Sequence, residues 1–251
     1  MRFASLGSGS KGNATLVQAG EALVLVDCGF SLRETTRRLA RLDLAPEQLS
    51  AILVTHEHGD HCSGVATLSR KHGIPVYLTH GTAGSGRCDG ASELRCFNCE
   101  DSFDIGGLTV QAVTVPHDAA EPCQFRLDFD GHSLGILTDL GHITPHVVES
   151  YRGCDSLLLE FNHDTEMLQA GAYPPPTKRR VGGDWGHLNN EQAADLLRQL
   201  DVARLNNLVV AHISENNNCR DLATRELATV LESTESVVWA CQLEGFDWLQ
   251  V

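Results

Sequence analysis

A run of three histidines and two acidic residues, directly after a short apolar segment, constrains this chain more than any other feature of its sequence. Residues 51–54 (AILV) have the pattern of a buried strand, and residues 55–61 (THEHGDH) follow without a break. A surface loop seldom needs such a cluster, and a core tolerates one only where its polar groups have partners. The pattern therefore predicts a binding site at the end of a strand.

The spacing within this motif predicts two neighbouring metal ions. His56 and His58 are two positions apart, so they point to the same side of an extended segment and can hold one ion. Gly59 allows the chain to turn, and Asp60 and His61 can then face a second ion beside the first. A solvated polar loop explains a single histidine well, but it explains this whole pattern poorly.

Further residues of types that bind metals stand at the ends of other apolar segments. His117 follows a strand predicted at 108–115, Asp139 follows a strand predicted at 133–138, and His212 follows the apolar residues LVVA. Each of these residues, taken alone, is more often structural. Together they repeat one arrangement, in which an apolar strand brings one polar side chain to a common edge.

Apolar strands, glycine-rich turns and amphipathic helical patterns alternate along the chain, which predicts an α/β fold. Residues 22–31 (ALVLVDCGFS) and 133–143 (SLGILTDLGHI) echo each other, since each contains a buried strand, an aspartate and a glycine turn. The echo favours two similar halves packed together, with helices outside. No low-complexity linker interrupts the chain, so we expect a single domain over residues 1–251.

Local patterns predict several other elements. Residues 31–42 predict a helix with Ser31 as its N-cap and Glu34 at the position that completes a capping box. The stretch 80–103 is rich in Gly, Cys and Ser and predicts irregular structure, and 163–187 predicts a long loop or lid. We expect the chain to end in a short pair of strands.

The net charge of −14 limits the partners of this protein. It argues against a basic surface that coats nucleic acid, but not against an enzyme that holds phosphate through metal ions. The first ten residues show no signal peptide, and the longest aliphatic run, residues 22–26, is too short to span a bilayer. We therefore expect a cytoplasmic protein without membrane contact, and the oligomeric state is left open.

The cysteines have two interpretations. Nine cysteines in a chain without a visible secretion signal favour reduced thiols over disulfides. Cys88, Cys96 and Cys99 could join His80 in a second, structural zinc site. The chain lacks the matching second Cys pair of such a site, so free thiols in a loop are the simpler interpretation.

The sequence resembles the metallo-β-lactamase-fold hydrolases, whose specific signature is the H-x-H-x-D-H pattern. The resemblance runs over nearly the whole chain and implies a four-layer αββα sandwich of two similar halves. It also implies two metal sites that share one carboxylate. The implied ligands are His56, His58 and His117 for one ion, Asp60, His61 and His212 for the other, and Asp139 bridging both. Asp27 matches an aspartate that supports such a site without binding metal.

The implied ligand set has a chemical consequence. Two divalent ions held by two carboxylates and five neutral imidazoles leave a charge of about +2, which attracts an anionic phosphate. Two such ions also provide a hydroxide nucleophile that bridges them and stabilise the attacking and leaving oxygens of a phosphodiester. Histidine and carboxylate ligands suit zinc, manganese or iron, so the sequence does not select the metal.

Several segments beyond the histidine motif resemble the YycJ/WalJ-type branch of these hydrolases. They are residues 7–13 (GSGSKGN), 26–31 (VDCGFS), 115–122 (VPHDAAEP), 138–141 (TDLG), 159–164 (LEFNHD), 186–194 (GHLNNEQAA) and 211–218 (AHISENNN). Members of that branch look like metal-dependent nucleases. The resemblance therefore implies 5′→3′ exonuclease activity on DNA, with DNA a more natural substrate than RNA.

The same resemblance suggests catalytic residues besides Asp60. Glu160 and His187 match a glutamate and a non-ligand histidine that lie near the scissile phosphate in the broader nuclease relatives. His187 would then donate a proton to the leaving oxygen or contact the phosphate, and Glu160 would orient it. In the alternative, His187 binds metal and His212 does not.

Candidates for substrate contact are less specific. They are Lys178, Arg179 and Arg180, His163, Ser10 and Asn13. The three basic residues form the only compact basic cluster, which suits contact with a phosphate backbone or an ordinary solvated loop. The serine and asparagine could present polar groups to the site, or they could serve turn geometry alone.

Three functions remain compatible with the sequence. The first is a two-metal phosphodiesterase that acts as a DNA exonuclease. The second is a phosphodiesterase for small cyclic or dinucleotide substrates, which the acidic charge favours. The third is a non-catalytic, metal-binding regulator, which would have no use for a proton donor such as His187.

Overall fold

Two seven-stranded β-sheets form the centre of the molecule in a computed structural model that describes residues 1–251. In spatial order, the first sheet contains β14 (Phe246–Gln250), β1 (Arg2–Gly7), β2 (Ala14–Ala19), β3 (Ala22–Val26), β4 (Ala51–Leu53), β5 (Pro75–Thr79) and β6 (Glu93–Phe97). The second contains β13 (Val238–Trp239), β12 (Asn207–Ala211), β11 (Ser156–Glu160), β10 (His132–Leu137), β9 (Cys123–Phe129), β8 (Leu108–Thr114) and β7 (Ser102–Ile105).

Nine α-helices surround the sheets. They are α1 (Leu32–Arg41), α2 (Gly59–Cys62), α3 (Val65–His72), α4 (His80–Gly84), α5 (Pro145–Tyr151), α6 (Thr165–Ala170), α7 (Pro175–Val181), α8 (Asn190–Gln199) and α9 (Arg220–Leu227). Two short 3-10 helices span Pro46–Gln48 and Val202–Arg204. None of the helices has the length and apolar character needed to cross a membrane.

Both sheets contain the same order of strand directions, which confirms the two similar halves expected from the sequence echo. In the first sheet β14, β1, β2 and β3 are antiparallel neighbours, and β3, β4, β5 and β6 run parallel. In the second sheet β7 to β10 are antiparallel neighbours, and β10 to β13 run parallel. Strands β3 and β10 are therefore equivalent, and Asp27 and Asp139 follow their carboxyl ends.

Side chains along each strand point alternately to the two faces of the sheet, and this explains how the layers of the fold pack. Val24 and Val26 of β3 face the core between the sheets, whereas Leu23 and Leu25 face the opposite side of their sheet. Helices α1 and α3 cover that outer side, and α5, α8 and α9 cover the outer side of the second sheet. The four-layer αββα sandwich is thus confirmed.

Helix α1 begins as its sequence predicts, but its capping differs in one detail. Ser31 is the N-cap, and its hydroxyl accepts a hydrogen bond from the Glu34 amide at 3.3 Å. The Glu34 carboxylate does not return to the cap, because it pairs with Arg37 and Arg38 at 2.6 Å each. The Arg38 guanidinium also donates to the carbonyl oxygen of Leu6, which ties α1 to the end of β1.

The prediction of a long loop over 163–187 is wrong, because α6 and α7 lie within it. The Asp164 side chain caps α6 by accepting a hydrogen bond from the Met167 amide at 2.8 Å. Pro175 begins α7, where a proline removes no hydrogen bond that the helix needs. The run of three prolines therefore starts a helix here and does not prevent one.

Two other local predictions also need correction. The stretch 80–103 contains α4, β6 and the start of β7, and β6 extends the first sheet beside β5. The last two strands do not pair with each other, since β13 joins β12 and β14 joins β1 in the other sheet. Both outcomes depend on pairing with distant segments, which a local pattern does not reveal.

The cysteines are all free thiols in the structure. Cys88 is buried, whereas Cys96 is exposed. Neither these two residues nor Cys99 and His80 belong to any group of side chains whose metal-binding atoms converge. The four residues suggested for a second zinc site are therefore not brought together.

Candidate metal centre

Strand β8 runs in the same direction as β10, and the carboxyl ends of β4, β8, β10 and β12 bring the histidine motif, His117, Asp139 and His212 to one edge of the sandwich. Strand β4 leads directly into the motif, and His58 stays extended (φ −62°, ψ 148°) as the N-cap of α2. This one-turn helix begins at Gly59 and carries Asp60 and His61. The chain thus changes direction at the glycine, and the two pairs of ligands face neighbouring positions.

The first group of converging side chains is His56, His58 and His117. Their ring centroids lie 4.6 to 5.0 Å apart. His117 Nε2 is 3.2 Å from His58 Nδ1. His56 Nε2 is buried and has no hydrogen-bond partner. Three imidazoles therefore meet at one point, with a buried nitrogen that lacks a partner.

The second group is Asp60, His61 and His212. Asp60 Oδ2 lies 3.5 Å from His61 Nε2 and 3.5 Å from His212 Nε2. His212 follows β12, has a left-handed backbone (φ 50°) and is almost fully buried. Neither of its ring nitrogens has a hydrogen-bond partner. This is an unusual state for a buried imidazole, because buried polar groups are nearly always paired.

Asp139 lies between the two groups. Its Oδ2 is 2.9 Å from His61 Nε2, and its Oδ1 is 3.4 Å from His212 Nδ1 and 3.9 Å from His117 Nε2. The carboxylate is buried, and Oδ2 makes no hydrogen bond. A single carboxylate thus reaches ligand atoms of both groups, as a bridging ligand must.

Hydrogen bonds on the outer side of the cluster orient the imidazoles. Asp27 Oδ2 accepts from His61 Nδ1 at 2.7 Å, and both Asp27 oxygens accept from the hydroxyl of Thr55. That hydroxyl also lies 2.9 Å from His56 Nδ1. His117 Nδ1 donates to the carbonyl oxygen of Gly186 at 2.9 Å. With Nδ1 occupied in all three rings, Nε2 is the atom that faces the centre.

The donor set fits divalent metal ions. Four buried atoms at the centre lack hydrogen-bond partners, namely His56 Nε2, Asp139 Oδ2, and Nδ1 and Nε2 of His212. Unpaired buried polar atoms are costly, and metal coordination would satisfy them. Imidazole nitrogens with carboxylate oxygens suit zinc, manganese or iron.

The carboxylates concentrate negative charge at this centre. Burial lowers the pKa of His212, but the nearby carboxylates of Asp139, Asp60 and Glu160 outweigh it and raise this pKa to about 10. Burial dominates at His56, whose pKa lies well below its usual value. Positive charge is therefore stabilised where the imidazoles lie beside the carboxylates, as at His212.

Glu160 and His187 form a pair beside the two groups. Glu160 is fully buried, and its Oε1 accepts hydrogen bonds from the amides of Leu140 and Leu188. Its Oε2 accepts from His187 Nδ1 at 3.1 Å, and Asp139 Oδ1 lies at the same distance from that nitrogen. His187 thus has its Nδ1 fixed, while the ring lines a cavity.

Burial lowers the pKa of His187, but Glu160 and Asp139 outweigh this effect and raise it to about 9. His187 also converges with Asp139, Glu160 and His212 in a further group of possible ligands. His212 belongs in addition to the group with Asp60 and His61, whereas His187 does not. Both histidines therefore lie within reach of Asp139 Oδ1, at 3.1 Å for His187 Nδ1 and 3.4 Å for His212 Nδ1.

Four of the candidate ligands, His58, Asp60, Asp139 and His212, line a cavity of about 230 Å³. Its lining residues are Ser10, His58, Asp60, Asp139, Asn162, Tyr173, Thr177, Arg180, Val181, His187, His212 and Ser214. Sequence reasoning missed Tyr173, Thr177, Val181 and Ser214. Three of these belong to α7 or the turn before it, and Thr177, Arg180 and Val181 share one face of that helix. A helical interpretation of 175–181 would have found Thr177 and Val181.

Of the six predicted substrate contacts, Arg180 and Ser10 line the cavity. Arg180 Nη1 pairs with Asp118 Oδ2 at 2.8 Å. Lys178 lies on another face of α7, where its Nζ donates to the carbonyl oxygen of Gln169 at 2.5 Å. Arg179 is exposed and does not line the cavity either.

The other two predicted contacts point into the protein. Asn13 is buried, its Oδ1 accepts from the amide of Gly9, and its Nδ2 lies 3.1 Å from His61 Nε2. His163 is also buried, and its Nδ1 donates to Asn162 Oδ1 at 3.3 Å. Burial lowers the pKa of His163 to about 4. Both side chains support the walls of the site and do not line the cavity.

The sequence of this chain is similar to those of known proteins. Residues 23–213 match the family described as the β-lactamase superfamily domain. The chain is 32% identical over 241 residues to the exodeoxyribonuclease WalJ of Streptococcus pneumoniae, covering 93% of this chain and 89% of that protein. It is 34% identical over 237 residues to the exodeoxyribonuclease YycJ of Bacillus anthracis, covering 92% and 89%.

A solved structure shares the fold. The metallo-β-lactamase fold protein YhfI from Bacillus subtilis superposes with a TM-score of 0.76 at 17% identity, and 99% of each chain is covered.

Proposed function

This chain belongs to the β-lactamase superfamily and is a metal-dependent hydrolase, and we propose that it is an exonuclease that degrades DNA from the 5′ end with two metal ions. The observation that carries the proposal is its similarity, over about nine tenths of the chain, to two proteins named exodeoxyribonucleases. The two ligand groups that share Asp139 support the number of ions.

Seven side chains would hold the ions. They are His56, His58 and His117 for one ion, Asp60, His61 and His212 for the other, and Asp139 for both. When bound, two divalent ions supply a hydroxide nucleophile at neutral pH and stabilise the charge that develops on a phosphodiester. The protein contributes the fixed positions of these ligands, since Asp27, Thr55 and Gly186 hold the outer ring nitrogens.

The Glu160–His187 pair would handle the proton of the leaving oxygen. Two backbone amides hold the Glu160 carboxylate, and the carboxylate holds His187 Nδ1. A protonated His187 can then present Nε2–H to the cavity and give this proton to the oxygen that leaves. The buried carboxylate stabilises the charged imidazole before the transfer.

Arg180 and Ser10 would contact the substrate at the rim of the cavity. The Arg180 guanidinium is free to exchange its ion pair with Asp118 for a phosphate oxygen, because Arg180 lines the cavity and its side chain is 55% exposed. The Ser10 hydroxyl lies on the same cavity. With a net charge of −14, such local contacts replace a broad basic surface.

A small cyclic or dinucleotide phosphodiester is the second candidate substrate. A cavity of about 230 Å³ with mostly polar lining suits a small ligand, and the acidic charge disfavours long polyanions. The non-catalytic regulator considered from the sequence does not agree with a metal-dependent hydrolase, and metal binding alone does not require the Glu160–His187 pair.

Digestion of end-labelled DNA tests the proposal. The protein, loaded with Mn²⁺ or Zn²⁺, is incubated with 5′-labelled and 3′-labelled single-stranded and double-stranded DNA. We expect a 5′ label to appear at once in small products, and a 3′ label to remain on progressively shorter strands. With Asp60→Ala, the 5′ label should not be released and the 3′-labelled strands should not shorten. If the loaded protein hydrolyses only a cyclic or dinucleotide substrate, the second candidate is correct.

A further inference from the structure

A second cavity, of about 430 Å³, lies beside the candidate metal centre, and no step proposed above uses it. Ser214 lines both cavities, so the two share a wall. The side chains of Ile213, Trp239 and Leu243 give the second cavity a largely apolar surface. Arg220 is the only basic residue that lines it.

The sheet register places this cavity at the same edge as the metal-binding residues. In the three parallel strands β11, β12 and β13, Glu160 pairs with Ala211, and Val210 pairs with Trp239. His212 follows β12 directly. With strands about 4.8 Å apart and a rise of about 3.3 Å per residue, the backbones of Trp239 and His212 are about 8 Å apart. A strand of nucleic acid that passes the metal centre can therefore reach Trp239.

The wall of the second cavity contains a stacked pair of planar groups. The guanidinium of Arg220, at the start of α9, lies 4.8 Å from the centroid of the Trp239 ring. The indole also packs against the outer core of the second sheet, which keeps it in place. Leu243 lines the same cavity and is 70% exposed. Aromatic rings and guanidinium planes are the surfaces on which bases stack in single-stranded nucleic acid complexes.

Nearby polar groups are already engaged within the protein. The Gln242 side chain accepts from the Lys11 amide at 2.7 Å and donates to the Gly12 carbonyl oxygen at 2.8 Å. The Asn218 amide group donates to the carbonyl oxygen of Phe161 at 2.8 Å. These groups have little capacity left to read the edge of a base. The cavity therefore favours stacking, which tolerates any sequence.

We propose that the second cavity binds one nucleobase of the DNA strand whose scissile phosphate lies at the candidate metal centre. This inference rests on the proposed function. The base inserts between Leu243 and the Arg220–Trp239 pair, and the strand crosses the shared wall at Ser214. A base held in this way fixes the position of the strand relative to the metal ions, without a broad basic surface.

Oligonucleotides with a single abasic residue test the proposal. The residue is placed at successive positions on either side of the bond that is cleaved first, and kcat/KM is measured with the metal-loaded enzyme. We expect one position at which loss of the base lowers kcat/KM about tenfold, a typical effect of one stacked base. Arg220→Ala and Leu243→Ser should lower kcat/KM on intact DNA and should remove the sensitivity to that abasic residue.

Arg2→Ala is the matched control. Arg2 also stacks on a tryptophan, since its guanidinium lies 4.2 Å from the Trp248 ring, but it lies at the opposite end of β1 from the site. This variant should behave as the wild type does. If the wild type cleaves all abasic strands equally, or if Arg220→Ala and Leu243→Ser match Arg2→Ala, the base-binding role is excluded while the nuclease function stands.

A binding experiment tests the same cavity without hydrolysis. In a Trp185→Phe/Trp248→Phe variant, Trp239 is the only remaining tryptophan. A single-stranded oligonucleotide should quench its fluorescence, and a fully abasic strand of equal length should not. Equal quenching by both strands, or by neither, overturns the proposal even if DNA hydrolysis fails. If the fluorescence of Trp239 instead decreases as the protein concentration rises, and sedimentation shows self-association, a second copy of this chain occupies the cavity.

Discussion

Asp27 and Asp139 occupy equivalent positions in the two halves of the molecule, and their environments differ completely. Asp27 follows β3, and its oxygens accept hydrogen bonds from Thr55 and His61. Asp139 follows β10, and its Oδ2 is buried without a hydrogen bond, among the inward-facing nitrogens of the histidines. We propose that the same topological position supports the site in one half and supplies a ligand in the other.

The partners of each carboxylate explain this difference. Asp27 is reached by outward-facing groups, namely the Nδ1 of His61 and the backbone amide of Thr55. Asp139 is reached by His61 Nε2 and His212 Nδ1, and its Oδ1 also lies 3.1 Å from His187 Nδ1. We propose that Asp139 serves as a ligand because, unlike Asp27, it meets the ring nitrogen of His61 that faces the centre. Its position in the fold alone does not decide its role.

The largest effect should come from Asp139→Asn. This change removes the charge that both ligand groups share, and the loss of several kcal/mol of stabilisation corresponds to about a thousandfold decrease in kcat. Metal content, measured by inductively coupled plasma mass spectrometry, should fall by at least one ion per chain. Full metal content with a near-normal rate would show that Asp139 does not bridge.

His187→Gln should have the next largest effect, because it removes the side chain proposed to give its proton to the leaving oxygen. We expect kcat to fall about 10²-fold, at the lower end of the range typical of lost general acid catalysis, with metal content unchanged. A substrate with a leaving group that needs no proton should recover most of this loss. If His187→Gln loses metal and His212→Ala retains it, then His187 is a metal ligand and His212 is not.

Asp27→Asn should have a smaller effect of a different kind. Asparagine tolerates the left-handed backbone at this position (φ 61°), so the change isolates the carboxylate charge. Metal affinity should fall about 10 to 100-fold, as for other partners of ligating histidines, while kcat at saturating metal stays close to that of the wild type. Competition with a chromogenic chelator measures this affinity. A kcat loss as large as that of Asp139→Asn would remove the distinction between the two aspartates.

Arg180→Ala should have the smallest effect. It removes one contact at the rim of the cavity, so we expect KM for DNA to rise about fivefold to tenfold with little change in kcat. Lys178→Ala, two residues earlier on another face of α7, is the control and should leave KM unchanged. If both variants raise KM equally, the basic residues attract DNA through their charge in general, and Arg180 makes no specific contact.

The histidine motif and the strand ends could be predicted because each depends on residues close together in sequence. The motif follows β4 directly, and the echo around Asp27 and Asp139 reflects the equivalent strands β3 and β10. The family expected from these segments is confirmed by the match over residues 23–213. The pairing of β13 and β14 with different sheets could not be predicted, since their partners lie far away in the chain.

The cavity wall was predicted less well, for two physical reasons. Prolines at 174–176 suggested a loop, yet a proline is well suited to the first turn of a helix, so α7 and its face with Tyr173 and Thr177 were missed. Asn13 and His163 looked like polar groups available to a substrate, but the fold buries both among hydrogen-bond partners. Exposure depends on packing between distant elements, which composition does not reveal.

Hydrolysis of linear and circular single-stranded DNA of the same sequence tests the central claim most directly. The metal-loaded protein is compared with Asp139→Asn on both substrates. An exonuclease at this two-metal centre should degrade the linear strand, leave the closed circle intact, and lose its activity in the variant. Cleavage of the circle, or no hydrolysis of either DNA by fully metallated protein, would contradict this account.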